Sequence, residues 1–307
     1  MGISRDSSTT FAVRGLDEFE AARLHRKGPG KYHGGELTKD VVVTSRGIIS
    51  REVIGEGPDL VLLHSLLTDR NAFDPIIPAL SARWRVHKVD LPGFGQSSRC
   101  EPEIDSFADS IGGLLEEGGY DPRATALVGN GFGAFVALGV AIRHVGSFGR
   151  LVLIGCGTGF AAAGQVFEAM ADKVAAGGMQ AVVDIALRRI FTESYLADHP
   201  AEATQRSKVL LGTDPEAFTI ACRALQTVDY TSSASQVRNP TLIVVGSEDQ
   251  ATPPAMGQSL AELIPGASFH LISGLAHAPQ LQDPEALLAV VGSFLSLGDA
   301  MIASATN

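Results

Sequence analysis

The chain has 307 residues, 45% of them hydrophobic and 19% charged, which allows a large buried core in one big or one and a half ordinary domains. A net charge of -10 with no basic run argues against a nucleic-acid partner, because phosphate binding needs clustered Lys and Arg, and leaves a small molecule as the expected ligand. No stretch approaches the roughly 18 apolar residues of a membrane span, and "MGISRDSSTTFAVRG" has no apolar core of signal-peptide length, so no membrane partner is expected. Cys100, Cys156 and Cys222 lie far apart with no C-x-x-C, which fits a reducing compartment and a cytoplasmic location.

In chain order, residues 1–40 are polar and charged and end in the Gly/Pro-punctuated "RKGPGKYHGG", which reads as an N-terminal arm and linker. Within them "LDEFEAARLHRK" has the spacing of one amphipathic helix with Leu16, Phe19 and Leu24 on a face. Such an arm packs on the body, joins a partner subunit in a homodimer, or stays disordered. Residues 41–159 then alternate strand and helix. "DVVVTSRGIISREVIGEG" reads as two strands around a turn, and "DLVLLH" as a strand buried on both faces. Helical "NAFDPIIPALSA", strand "RVHKVDL", helix "IDSFADSIGGLLEE" and strands "ATALVG" and "GRLVLIG" follow. From 160 to 232 helical patterns dominate and strand signals vanish, which reads as a helical cap over the site. Residues 233–307 resume the alternation with "PTLIVVG", "PAMGQSLAELI", "ASFHLIS" and "PEALLAVVGSFL". The order predicts an α/β fold with a mostly parallel sheet, helices on both faces and a cap insertion.

In such a sheet, ligands bind beyond the carboxyl ends of the strands. Four positions stand there: His64-Ser65-Leu66, Gly131 in "ALVGNGFGAF", Asp249 in "VVGSEDQ" and His277 in "SGLAHAPQ". "GNGFG" is the strand, sharp turn and helix of a nucleophile elbow, G-x-S-x-G, with glycine at the serine position. Elbow, acid and histidine follow in the order of an α/β-hydrolase triad. Asp249 would accept the Nδ1 proton of His277, leaving Nε2 as a general base. Backbone N–H groups of Phe132 and of the Ser65-Leu66 loop would form an oxyanion hole, each donor worth about 2.7 to 4 kcal/mol. Each position also has a plainer reading: a lone loop histidine is commonly a surface residue, an aspartate after a strand a helix cap, and Ser65 a loop-structuring residue. Arg188, Arg189 and Arg223, in the cap, could hold a substrate carboxylate by forked hydrogen bonds, although most such arginines are only solvated.

Residues 41–297 resemble the α/β-hydrolases. "LLHSLLTDRNAFD", "VDLPGFGQSS", "GGMQAVVDIALRRIFTESYLADHP", "PTLIVVGSEDQATPPAMGQSLAELIPGA" and "LAHAPQLQDPEAL" are similar to 3-oxoadipate enol-lactonases. The resemblance implies opening of a small, anionic enol-lactone by acylation of a serine, with no cofactor and no metal, and more broadly action on a carboxylate-bearing lactone, ester or amide. Relatives on this scaffold also cleave amides and carbon–carbon bonds, so the bond does not follow from the fold.

Gly131 leaves three readings open. A serine hydrolase has had its nucleophile replaced; a naturally serine-less enzyme uses water activated by His277 or runs a lyase step; or a noncatalytic protein binds a small ligand. The intact Asp249 and His277 speak against the last.

Overall fold

The computed structural model describes residues 30–32 and 35–305. The amphipathic stretch of the arm, and with it the dimer contact expected there, lies outside the described residues. Among these, nine strands form one sheet: Gly30–Tyr32 (β1), Gly35–Thr44 (β2), Gly47–Ile54 (β3), Asp59–Leu63 (β4), Arg85–Val89 (β5), Ala126–Asn130 (β6), Arg150–Ile154 (β7), Thr241–Gly246 (β8) and Ser268–Ile272 (β9), in the order β1-β2-β3-β5-β4-β6-β7-β8-β9. The six strands from β5 to β9 run parallel, and β1 to β3 form an antiparallel edge. The sheet therefore begins earlier than residue 41. Part of the stretch read as linker pairs with its neighbours, because an edge hairpin can be polar and carries no apolar run to announce it.

The central strands are apolar on both faces because both are covered. Leu60 and Leu62 of β4 face a core with Phe73, Ile77 and, from the last helix, Leu287 and Val291. Val61 and Leu63 face the opposite core, with Phe107, Phe132 and Phe135. The helices are Ile77–Leu80 (α1), Ile104–Glu117 (α2) and Phe132–Arg143 (α3), then five between β7 and β8, Gln165–Gly177 (α4), Val183–Ile190 (α5), Glu193–Asp198 (α6), Pro200–Leu211 (α7) and Pro215–Thr227 (α8), and finally Pro254–Leu263 (α9), Pro279–Gln282 (α10) and Pro284–Ala305 (α11). Helix α3 is apolar all round and buried from Phe132 to Ala141, as a helix held between the sheet and a second layer must be. The five helices α4 to α8 pack on that same side and share one apolar cluster with it.

Chain order reverses at the centre of the sheet. From β4 the chain moves outward to β5 and then returns to the other side of β4 as β6. The ends of β4 and β6 thus diverge into different layers and leave a crevice between them.

Behind this crevice lies a buried charge network. Lys88 on β5, its side chain 2% exposed, is paired with Glu52 and Asp74. Arg70 bridges Glu52 at 2.9 Å and Asp90 at 2.8 Å. Burial pushes the Glu52 carboxyl up, but Lys88, Arg70 and Lys39 outweigh it and hold the group below its ordinary range. The network ties β3 and β5 to the segment that follows β4. Lys88→Met leaves Glu52 and Asp74 without their shared cation and is expected to cost about 3 kcal/mol, read as a lower midpoint in urea unfolding with an unchanged slope.

Candidate active site

Strand β6 turns into α3 at a single residue. Gly131 has φ 54° and ψ -118°, a left-handed conformation that costs other residues strain and glycine little. Its N–H donates to the Ile154 carbonyl at 2.8 Å, and the Gly133 N–H donates to the His64 carbonyl at 3.0 Å, so the turn is tied to β7 on one side and β4 on the other. A Cβ at Gly133 would strike the Leu63 and His64 carbonyls. The approach of the helix to β4 thus requires glycine there.

Asp249, His277, Ser65 and Gly131 converge on this turn although they lie far apart in sequence. His277 Nδ1–H donates to Asp249 Oδ2 at 2.8 Å, and both side chains are buried. Because a carboxylate only accepts, the shared proton resides on Nδ1 and Nε2 is left with its lone pair. The carboxylate also receives the Ala251 N–H at 2.8 Å, the Thr252 N–H at 2.9 Å and the Thr252 hydroxyl at 2.8 Å. Burial pushes Asp249 up, but His277 and the Thr252 donors outweigh it and keep the carboxyl below its ordinary range. An anion held in this way can support a positive charge on the imidazole.

Nε2 faces the Ser65 hydroxyl at 3.5 Å. Ser65 is 3% exposed and lies just beyond β4. Its carbonyl accepts from His64 Nδ1 at 2.9 Å and from the Thr68 N–H at 3.2 Å. His64 Nε2 in turn accepts the Leu91 N–H at 3.2 Å. Those two partners set the His64 tautomer, and burial lowers its pKa, so this imidazole is a neutral strut between the loops after β4 and β5. The expected oxyanion loop differs in one detail. The Ser65 N–H is engaged by Thr68 Oγ1 at 3.2 Å, because the loop closes on itself in a tight turn, whereas the N–H groups of Leu66 and Phe132 take no partner among the described residues.

These groups open into a narrow cleft of about 30 Å³ lined by Leu66, Phe132, Phe135, Phe160, Phe167, Met170 and Leu225, together with Ser65, Gly131, Thr252, His277 and Arg189. Phe135 and Phe160 lie 5.1 Å apart between ring centroids, and Phe160 and Phe167 4.6 Å, making one aromatic wall from α3 to α4. Arg189 is the sole Lys or Arg on the lining and forms no ion pair or hydrogen bond among the described residues. Burial lowers its pKa somewhat, against the pull of the Asp249 charge. The other two expected arginines are not brought to the cleft: Arg188 is 68% exposed and paired with Glu193, and Arg223 is exposed on α8.

Several residues that position the site carry no motif. Asn130, the last residue of β6, donates through Nδ2 to the His277 carbonyl at 2.9 Å and accepts at Oδ1 from Gln280 at 2.9 Å. Thr252 is legible as a hydroxyl three residues after Asp249, where it can fold back on the carboxylate. The His277 loop is also fastened to the inserted helices: the Ala278 N–H donates to the Ile190 carbonyl at 3.2 Å, the Tyr195 hydroxyl to the Leu281 carbonyl at 3.1 Å, and Gln282 Nε2 to Thr192 Oγ1 at 3.1 Å. Cys156 is fully buried and its thiol donates to the Gly157 carbonyl, so it packs and does not line the cleft. Among the described residues no group of three or more His, Cys, Asp or Glu is placed to hold a metal ion, and no helix is long and apolar enough to cross a membrane.

Comparison with known proteins identifies the family. The chain is 28% identical over 260 residues to the pimeloyl-[acyl-carrier protein] methyl ester esterase of Aeromonas hydrophila, covering 80% of this chain and 99% of that protein. The esterase of the same name from Nitrosomonas europaea is 28% identical over 243 residues, covering 76% and 94%. Among solved structures, the enol-lactonase from Burkholderia xenovorans LB400 superposes with a TM-score of 0.78 at 26% identity, covering 83% of this chain and 99% of that one. A thermophilic esterase from Thermogutta terrifontis shares the fold, with a TM-score of 0.78 at 23% identity over 85% and 98%. The profile of the alpha/beta hydrolase family matches residues 60–290, and with the sheet order, the elbow-like turn at Gly131 and the converging strand ends it establishes that this chain belongs to the alpha/beta hydrolase family.

Proposed function

We propose that the chain hydrolyses a small ester or lactone bearing a carboxylate, with His277 as general base oriented by Asp249 and without a cofactor. The observation that carries the reading is Arg189, an unpaired guanidinium on the wall of the same apolar cleft that His277 faces. Arg189 is half-buried and has no protein partner among the described residues, and a guanidinium matches a carboxylate with two parallel hydrogen bonds. The names of the similar proteins, a methyl ester esterase and an enol-lactonase, support an acyl–oxygen bond as the one cleaved.

In this reading the substrate carboxylate binds Arg189 and its carbonyl lies between the unpaired N–H groups of Leu66 and Phe132. His277 Nε2 takes the proton of the attacking oxygen, and Asp249 stabilises the imidazolium so formed. As the carbonyl oxygen gains charge, the two N–H groups meet it without reorganising. The same imidazolium then protonates the leaving alkoxide. A noncatalytic binder has no use for a buried aspartate with four donors trained on it, so hydrolysis is the reading retained.

Two outcomes are expected. His277→Ala lowers kcat on an ester and lactone panel by about 10² to 10⁴, and Asp249→Asn lowers it to a similar extent by misorienting the imidazole. Full activity in His277→Ala would discard the mechanism. Arg189→Met raises KM for carboxylate-bearing esters about 10- to 100-fold while leaving neutral esters of the same length nearly unchanged, measured by steady-state kinetics on matched pairs. An equal effect on both members of a pair would remove the anion from the substrate description.

A further inference from the structure

We propose that Ser65 is the catalytic nucleophile of this chain, its hydroxyl taking the part that a serine at position 131 has in an elbow. The inference rests on the reading of the site as ester-cleaving and names the group that the reading leaves open. Three observations carry it. First, the Ser65 hydroxyl is the one side-chain oxygen among the described residues that meets His277 Nε2, at 3.5 Å. Catalytic hydrogen bonds of this length in an empty site commonly shorten once substrate is bound. Second, a Cβ built on Gly131 would fall 2.5 Å from His277 Nε2 and 3.1 Å from Ser65 Cβ, and would overlap Ser65 Oγ. The Ser65 hydroxyl therefore occupies the place where a serine side chain at position 131 would begin, and the glycine is what makes room for it. Third, the donors are arranged to match. In an elbow one oxyanion donor is the N–H of the residue after the nucleophile and the other comes from the neighbouring loop. With Ser65 as nucleophile the following residue is Leu66 and the neighbouring donor is Phe132, and both N–H groups are unpaired among the described residues.

Ser65 is also held for the task. Its N–H and its carbonyl are engaged by Thr68 and His64, so the backbone is pinned while the residue lines the cleft. The reaction balances as an ordinary acyl transfer. Ser65 Oγ bonds to the carbonyl carbon while its proton passes to His277 Nε2. The tetrahedral oxyanion collapses, the acyl–oxygen bond breaks, and the alkoxide leaves with that proton. Water then attacks the Ser65 ester, gives its proton to His277, and releases the acid, which returns the serine hydroxyl.

The test is adduct mapping on the full chain with a fluorophosphonate probe and, separately, with p-nitrophenyl butyrate quenched in acid during turnover. Tryptic cleavage yields a peptide of residues 52–70 whose only hydroxyl side chains are Ser65 and Thr68. The expected result is an adduct on Ser65 in that peptide, with labelling reduced at least 100-fold in Ser65→Ala and in His277→Ala. In Gly131→Ser the adduct is expected to move to the peptide of residues 124–143, which in the unaltered chain has Thr125 as its only hydroxyl side chain. An adduct elsewhere in the unaltered chain, or none, overturns the assignment, and this readout does not depend on whether Ser65→Ala folds. Turnover that persists in Ser65→Ala but is lost in His277→Ala overturns it in favour of water and leaves the proposed function standing. Labelling of Ser65 in a chain that hydrolyses no ester or lactone upholds the nucleophile and overturns the substrate reading.

Discussion

The structure is organised by one backbone constraint, the reversal from β6 into α3 within a single residue. The Gly131 N–H holds the turn to the end of β7 and the Gly133 N–H holds it to the end of β4. Close contact at Gly133 brings the first turn of α3 onto β4, which places Phe132 on the cleft wall and sets the helix against the sheet. Asn130, one residue earlier, is held in the same geometry and reaches across to the His277 carbonyl. A change in this turn would therefore move the Phe132 N–H, His277 and the helix together. Side-chain chemistry at the turn is the one part that the backbone does not need.

That separation explains why a glycine here is compatible with an intact site. The left-handed conformation is unfavourable for serine and costs glycine little, so Gly131 holds the turn without strain. The dyad of Asp249 and His277 rests on donors from Thr252 and Ala251 and does not lean on residue 131. The burial of Asp249 would raise its pKa if the carboxylate stood alone; four donors reverse that. The imidazole therefore keeps its orientation and its charge partner whatever oxygen it activates.

Much of this was legible in the sequence, for reasons that differ by element. Strands such as "DLVLLH" and "PTLIVVG" are apolar on both faces because helices cover both, and that signal survives without tertiary knowledge. The polar edge hairpin of β1 and β2 has no such signal and was assigned in part to the linker. Gly131, Asp249, His277 and the loop after β4 were visible because parallel strands deliver their following residues to one edge. The supporting amides of Asn130 and Gln280 were not, since nothing in a local pattern says where a strand-end amide points. The choice among the arginines was recoverable from helical phase. In α5 the buried residues are Val183, Ala186 and Ile190; Arg189 follows Ala186 by three positions and shares its side, while Arg188 follows by two and points away.

The fastening between the His277 loop and the inserted helices has a consequence for which molecules fit. Ile190, whose carbonyl accepts the Ala278 N–H, is the neighbour of Arg189, and Ala278 is the neighbour of His277. Arg189 and His277 are thus adjacent to the two ends of a single hydrogen bond, braced by Tyr195 and Gln282 on the same joint. These hydrogen bonds fix the distance between the two residues. For a substrate bound as proposed, this fixed separation would act as a ruler, favouring a particular number of bonds between its carboxylate and its reacting carbonyl.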